Sequence, residues 1–160
     1  MPNWVSNSIE VEGKLEHRKE FVEKNKGFHF HDTMKKGSYT DLSFHASVPV
    51  PKKHINSKKG DGWYHWCINK WGTKWDASEP CVDHSKHSTS YGFETAWSPP
   101  IDWIEAVSKK FPHLMFKVTW VEEQLFGARF DIQGGDYFWQ QDMTEEQCKE
   151  YMGIEDDEEE

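Results

Sequence analysis

No stretch of this 160-residue sequence approaches the ~18 consecutive apolar residues that a membrane-spanning helix requires, and hydrophobic residues fill only 36% of its positions. An integral helical membrane protein is excluded. Cysteine is scarce too. Cys67, Cys81 and Cys148 form an odd set without framework spacing. That excludes a disulfide-stapled mini-protein and predicts reduced thiols in a cytoplasm. The opening Met1-Pro2-Asn3-Trp4 has neither a basic start nor an apolar stretch, so no signal peptide is expected. Also missing are the Gly-x-Ser-x-Gly elbow, the glycine-rich phosphate loop and the His-Glu-x-x-His pair. No residue is therefore assigned a catalytic role, and no cofactor is expected.

What the chain does have is aromatic side chains, at 15%, with nine tryptophans. A chain of this length buries roughly 70% of its unfolded surface and folds without staples. Its net charge of −9 is unevenly placed. Residues 142–160 carry Asp142, Glu145, Glu146, Glu150 and the run Glu155, Asp156, Asp157, Glu158, Glu159, Glu160 against Lys149 alone. The remainder, residues 1–141, is neutral overall. Adjacent like charges repel and stay solvated. Residues 1–152 are thus expected to form one domain and 153–160 a disordered acidic tail. That tail is either a solubilising appendage or a contact for a basic partner. A neutral body with an acidic tail is a poor general binder of nucleic acid.

Periodicity supplies the elements. Val5, Ile9 and Val11 predict a first strand ending at Gly13, and Leu15, Phe21 and Val22 share a face of a helix over 14–26. Asp41–Val50 alternates, with Leu42, Phe44, Ala46, Val48 and Val50 together, and predicts a strand closed by Pro49 and Pro51. Tyr64, Cys67, Ile68 and Trp71 fall at i, i+3, i+4 and i+7, the buried face of a short helix ending at Gly72. Tyr91, Phe93, Thr95 and Trp97 predict another strand. Ser98 is the expected N-cap of a helix that buries Ile101, Ile104, Val107 and Phe111. Strands follow through Leu114–Trp120 and Phe126–Ile132, then a Gly134-Gly135 hairpin turn into Tyr137 and Trp139, and a last helix near Thr144–Tyr151. This order predicts an α+β sandwich, an antiparallel sheet with helices on one face and inserted loops. Its natural form is a ferredoxin-like split βαβ arrangement.

Two stretches go beyond pattern: Trp71-Gly72-Thr73-Lys74-Trp75-Asp76-Ala77 and Phe93-Glu94-Thr95-Ala96-Trp97-Ser98-Pro99-Pro100. With Met1-Pro2-Asn3-Trp4 and Phe111-Pro112, they resemble the ferredoxin-like YubB-type domain family of plasmid and bacteriophage proteins, over about residues 1–135. The resemblance implies the same fold and a mobile-element origin, and brings no general activity. One departure is Val5, where that family often carries cysteine.

Candidate contacts concentrate in the same stretches. Indole faces stack on bases or cations, and lysine meets phosphate or a ring. Trp63, Trp66, Lys74, Trp75, Asp76, Glu94 and Trp97 are therefore the candidate binding residues, with Trp71 assigned to the core. The indole N–H of a buried tryptophan needs an acceptor, for which Asp76 and Glu94 are candidates. Cys81-x-x-His84-x-x-His87 holds zinc-type donors, but at a spacing that is not that of a structural zinc site, in a segment read as a loop. No metal site is assigned there or at His29-x-His31. The basic loop of Lys52, Lys53, Lys58 and Lys59 is read as a solvated surface.

The function expected from this is non-enzymatic. It is a phage or mobile-element accessory protein in a cytoplasm that binds a host protein or complex, as an inhibitor of a defence or DNA-processing machine. A binder that stacks a nucleotide between tryptophans is the alternative, and an enzyme acting on nucleic acid or nucleotides is the third. No membrane partner is expected; oligomeric state is left open. If the acidic run is a solvated tail, ending the chain after Gly153 will leave the melting temperature nearly unchanged in calorimetry; a large drop would show that it packs on the body.

Overall fold

The computed structural model describes residues 3–33, 39–55 and 62–155. Along them run β1 (Trp4–Glu12), α1 (Leu15–Asn25), β2 (Gly27–Phe28), α2 (Phe30–Thr33), β3 (Tyr39–Thr40), α3 (Phe44–Ser47), α4 (Lys52–Ile55) and α5 (Gly62–Lys70). They continue with β4 (Ser78–His84), β5 (Ser88–Ala96), α6 (Ile101–Lys110), β6 (Met115–Glu122), β7 (Phe126–Gln133), β8 (Asp136–Met143) and α7 (Glu145–Met152). No described helix is long and apolar enough to cross a membrane.

The organising strand is β1. Val5, Asn7, Ile9 and Val11 are buried while the residues between them are half-buried, as period-two alternation requires of a strand with one covered face. Both neighbours of β1, β5 and β6, run antiparallel to it. The six-stranded sheet has the order β4-β5-β1-β6-β7-β8. β1, α1 and β4 form a βαβ unit split by β5, and α6 leads into β6. That is the ferredoxin-like arrangement, extended by the β7–β8 hairpin on its Gly134-Gly135 turn. Both glycines have positive φ, 59° and 85°.

The core lies on the Val5–Val11 side. Phe21 of α1 meets Tyr91, Phe111 and Phe116 edge-on, with ring centroids 5.9, 5.1 and 5.3 Å away. Trp103, Ile104 and Val107 of α6 are buried against the same cluster. Burying side chains of this size is the main favourable term in folding, roughly 1.5–3 kcal/mol each. On the other side of the sheet, α7 packs Cys148 against Val121 and Met143. Val121 pairs with Ser6, not with Val5, which fixes its side. The rest of that second face carries half-buried Ser6, Ser8, Glu10, Glu94, Thr119 and Arg129.

Several expectations are corrected. The alternating Asp41–Val50 is not a strand. Ser43 caps a helical turn, its Oγ accepting from the Ala46 N–H at 3.3 Å, and the Phe44 N–H donates to the Asp76 carboxylate at 2.7 Å. Local capping therefore wins over periodicity, and Ala46 ends up exposed. The second strand of the split unit is instead Ser78–His84, which takes in the start of the Cys81–His87 segment read as a loop. It joins the sheet edge through a bulge between Ser78 and Cys81, with Pro80 lying in that bulge. Ile68 and Leu15, expected inside, are 37% and 54% exposed. Ser98 does not cap α6; its Oγ donates to the Gly72 carbonyl, and Pro100 occupies the cap position.

Trp71 is fully buried, as its helical face predicts. Its Nε1–H donates to the Val48 carbonyl at 2.9 Å, so neither Asp76 nor Glu94 is its acceptor. Trp103 donates likewise to Ser47 Oγ at 3.0 Å. Two core indoles thus anchor the inserted 44–48 segment. Trp71→Ala is expected to lower stability by about 3–5 kcal/mol in denaturant unfolding, the range for deleting a packed large aromatic.

Candidate functional site

Gly72 has a φ of +84°, and a Cβ there would stand 2.9 Å from Asp102 Oδ2 and 3.2 Å from two backbone nitrogens at the start of α6. Only glycine lets the chain cross α6 this closely. The next residues are laced to the end of β5. Thr73 Oγ1 donates to the Ala96 carbonyl at 2.8 Å, and Ser98 Oγ to the Gly72 carbonyl at 2.6 Å.

β5 ends there for a reason the alternation does not show. Trp97 adopts a left-handed backbone, φ 72°, and its N–H donates to the Asn3 carbonyl at 2.8 Å. Its side chain leaves the inward row of Tyr91, Phe93 and Thr95 and is 49% exposed. A bulky residue at positive φ is strained, and this strain sets the indole beside Lys74.

The Lys74 ammonium sits 4.2 Å from the Trp97 ring centroid, 4.5 Å from that of Trp75 and 5.9 Å from that of Tyr64. These are cation–π distances. None of the ion pairs among the described residues includes Lys74. Further rings continue the wall. Trp4 lies 6.0 Å from Trp75, and His31 lies 6.2 Å from Trp75 and 4.9 Å from Trp63.

Below this wall, Asp76 is 1% exposed. Its carboxylate accepts from the N–H groups of Phe30, Phe44 and Ala77 at 3.0, 2.7 and 2.8 Å, and from Ser43 Oγ at 3.2 Å. Those bonds occupy it fully, so Asp76 positions the wall and offers nothing to a ligand. His31 Nδ1 accepts from the Asp76 N–H at 3.4 Å. Burial, then the neighbouring His29 and Lys74, push the His31 pKa down to about 3. Its imidazole is therefore neutral and carries its proton on Nε2.

Acids border the Trp4 side. Glu94 is opposite both Ser6 and Ser78, two residues before the Ala96 that faces Trp4. The Glu123 N–H donates to the Trp4 carbonyl at 3.2 Å. Burial, then repulsion from Glu79 and Glu123, raises the Glu94 pKa above the usual carboxylate value. None of the three belongs to an ion pair among the described residues.

Of the candidate residues, the structure gathers Lys74, Trp75 and Trp97 at one cage and puts Trp63 behind it, against His31. Glu94 stands on the bordering acidic side. Trp66 is half-buried away from the cage, edge-on to Trp71 at 5.8 Å. Trp4, Tyr64, Glu79 and Glu123 were not among the candidate binding residues, and His31 was weighed only in the His29-x-His31 pair to which no metal was assigned. Tyr64 shares a helical face with Cys67 and reads as core, and Glu79 and Glu123 have no local signal. Cys81 and His84, three apart in a strand, point to opposite sides, and His84 Nδ1 lies 3.3 Å from Thr89 Oγ1. Among the described residues no group of three or more His, Cys, Asp or Glu is placed to share a metal. Lys58, Lys59 and Asp156–Glu160 lie outside the described residues; Glu155 is exposed.

Comparison with known proteins gives two matches. The family model described as the ferredoxin-like domain in Api92-like protein covers residues 70–160, more than half of the chain. The crystal structure of protein api92 from Yersinia pseudotuberculosis superposes with a TM-score of 0.63 at 8% identity, over 90% of this chain and 99% of that one. At that identity the likeness establishes the fold alone. No curated protein matches the sequence.

The neutral His31 makes a pH prediction. In the unfolded chain it takes a proton near 6.5, in the folded chain only near 3. The unfolded state therefore binds more protons between these values. The contribution of neutral His31 is fully present above pH 6.5 and is lost toward pH 3, by up to about 1.4 kcal/mol per pH unit. Chemical denaturation from pH 7 to 4 should show His31→Gln losing stability less steeply than the wild type.

Proposed function

We propose that this chain, which belongs to the Api92-like family with a ferredoxin-like domain, is a non-enzymatic binding protein that docks a basic protein partner on the Trp4–Trp75–Trp97 surface. The observation that carries this reading is Trp97. A large indole held outward on strained backbone and 49% exposed is the composition of an interface hot spot and not of a core. The YubB-type motifs support a plasmid or phage origin, a host cytoplasm as the setting and a host defence or DNA-processing machine as the target. The acidic run Glu155–Glu160 supports the same sign of partner, since it adds long-range attraction for a basic surface.

A nucleotide between the tryptophans is the second reading, favoured by the Lys74 ammonium, which has no ion pair among the described residues, next to two exposed or half-exposed indoles. Electrostatics disfavours it. Glu94 and Glu123 border the Trp4 side, with Glu79 beside Glu94, and repel phosphate.

Capture from a lysate of the host, read by mass spectrometry, tests the proposal. A partner retained by the wild type should be lost with Trp97→Ala, a weakening of about 2 kcal/mol or more as expected of an aromatic hot spot. The variant should melt close to the wild type, and added salt should weaken the intact complex. Retention of the same partner by Trp97→Ala would move the interface elsewhere; retention of nucleic acid alone would favour the second reading.

A further inference from the structure

The cage around Lys74 is built without Lys74. Its Trp97 wall is fixed by the Trp97 N–H to the Asn3 carbonyl at 2.8 Å. The approach of the 72–75 turn to that wall is fixed by Thr73 on Ala96 at 2.8 Å and Ser98 on Gly72 at 2.6 Å. Tyr64 is carried on α5, and Trp75 is braced by Trp4 and His31. None of these contacts uses the lysine ammonium, so the rings keep their places when it leaves. That is preorganisation.

The ammonium itself is bound weakly for a charged group. It has ring faces within 6 Å and no ion pair among the described residues. A cation–π contact at a half-exposed site is weak enough for exchange with solvent or with another cation. The half-exposed Trp97 leaves that side of the cage open to water. Ring faces carry negative potential at their centres. All of this favours a cation over an anion.

From this geometry we infer that Tyr64, Trp75 and Trp97 form a socket for an ammonium group supplied by a ligand, a lysine-type or methylated side chain of the partner, with Lys74 as its resident occupant in the free protein. The socket names the chemistry of the partner contact, and its biological sense rests on the partner-binding reading above. When the partner's ammonium enters, Lys74 swings out toward solvent. The compact charge matters: an ammonium fits between three ring faces, whereas a guanidinium is a flat group suited to stacking on one.

The test needs no partner. Full-length protein is titrated with tetramethylammonium chloride, and with tert-butanol as the neutral group of similar shape, while the indole N–H resonances are followed by NMR. Trp75→Ala and Trp97→Ala assign the two relevant peaks. Tetramethylammonium should shift both saturably in the wild type, and tert-butanol should not. Lys74→Gln, which empties the socket, should bind about two- to fivefold tighter, the scale of one cation–π contact regained. Trp97→Ala should not bind. The socket is overturned by absence of a saturable shift in wild type and Lys74→Gln, by equal shifts with tert-butanol, or by adenosine monophosphate moving these peaks when tetramethylammonium does not. Failure here with lysate capture still dependent on Trp97 would sink the socket and leave the partner reading standing. Binding of tetramethylammonium with no partner captured would do the reverse.

Discussion

The buried carboxylate of Asp76 is the constraint on which the rest depends. A carboxylate this deep is tolerable only when each lone pair is used, because its desolvation costs far more than one hydrogen bond returns. Here the donors are the N–H groups of Phe30, Phe44 and Ala77 and the hydroxyl of Ser43. They come from three places in the chain. One anion therefore gathers the insertion between α1 and β4 onto the turn that follows α5. With that turn fixed, His31 and Trp63 fall behind Trp75, and Lys74 meets its rings.

A second buried charge does comparable work at the other end of the sheet. Arg18, 2% exposed, donates to the carbonyls of Gly13, Ser85 and Lys86 at 3.0, 3.1 and 2.8 Å. It thereby ties α1 to the β4–β5 connection. Both ends of the split βαβ unit are thus pinned by an ion solvated by neutral groups, an arrangement that fixes geometry through directional bonds. Between the two pins the Val11 side of the sheet is packed with aromatics, and the Ser6 side stays polar. At the Trp4 end of that polar side the anchored turn sets Trp75 beside Trp4, and Glu94 stands two residues before the Ala96 that faces Trp4.

Much of the candidate site was legible residue by residue, and little of it as a site. Trp75, Lys74 and Trp97 stood out because indole and ammonium are costly to place without a purpose. Asp76 stood out equally, yet its carboxylate is consumed by backbone donors from segments 32 and 46 residues away, which no local pattern displays. Tyr64 was hidden by the helical period it shares with Cys67. Trp97 looked inward because alternation assumes the strand continues, and the strand ends one residue earlier on a left-handed backbone.

By itself the sequence determined the class of fold, the strands β1, β5, β6 and β7, the helix that buries Trp71 and the location of the negative charge. Each of these follows from local information: a period, a turn residue, a run of like charge. Only the tertiary structure decided that Asp41–Val50 forms a capped turn while Ser78–His84 forms a sheet edge. The alternation of the first is overridden by Ser43 and by the distant Asp76. The second pairs with β5 through backbone hydrogen bonds to which its side chains contribute no pattern. The cage was likewise decided in three dimensions, because its cation–π contacts join α5, the turn after it and the end of β5, and distance in space, not spacing along the chain, sets their strength.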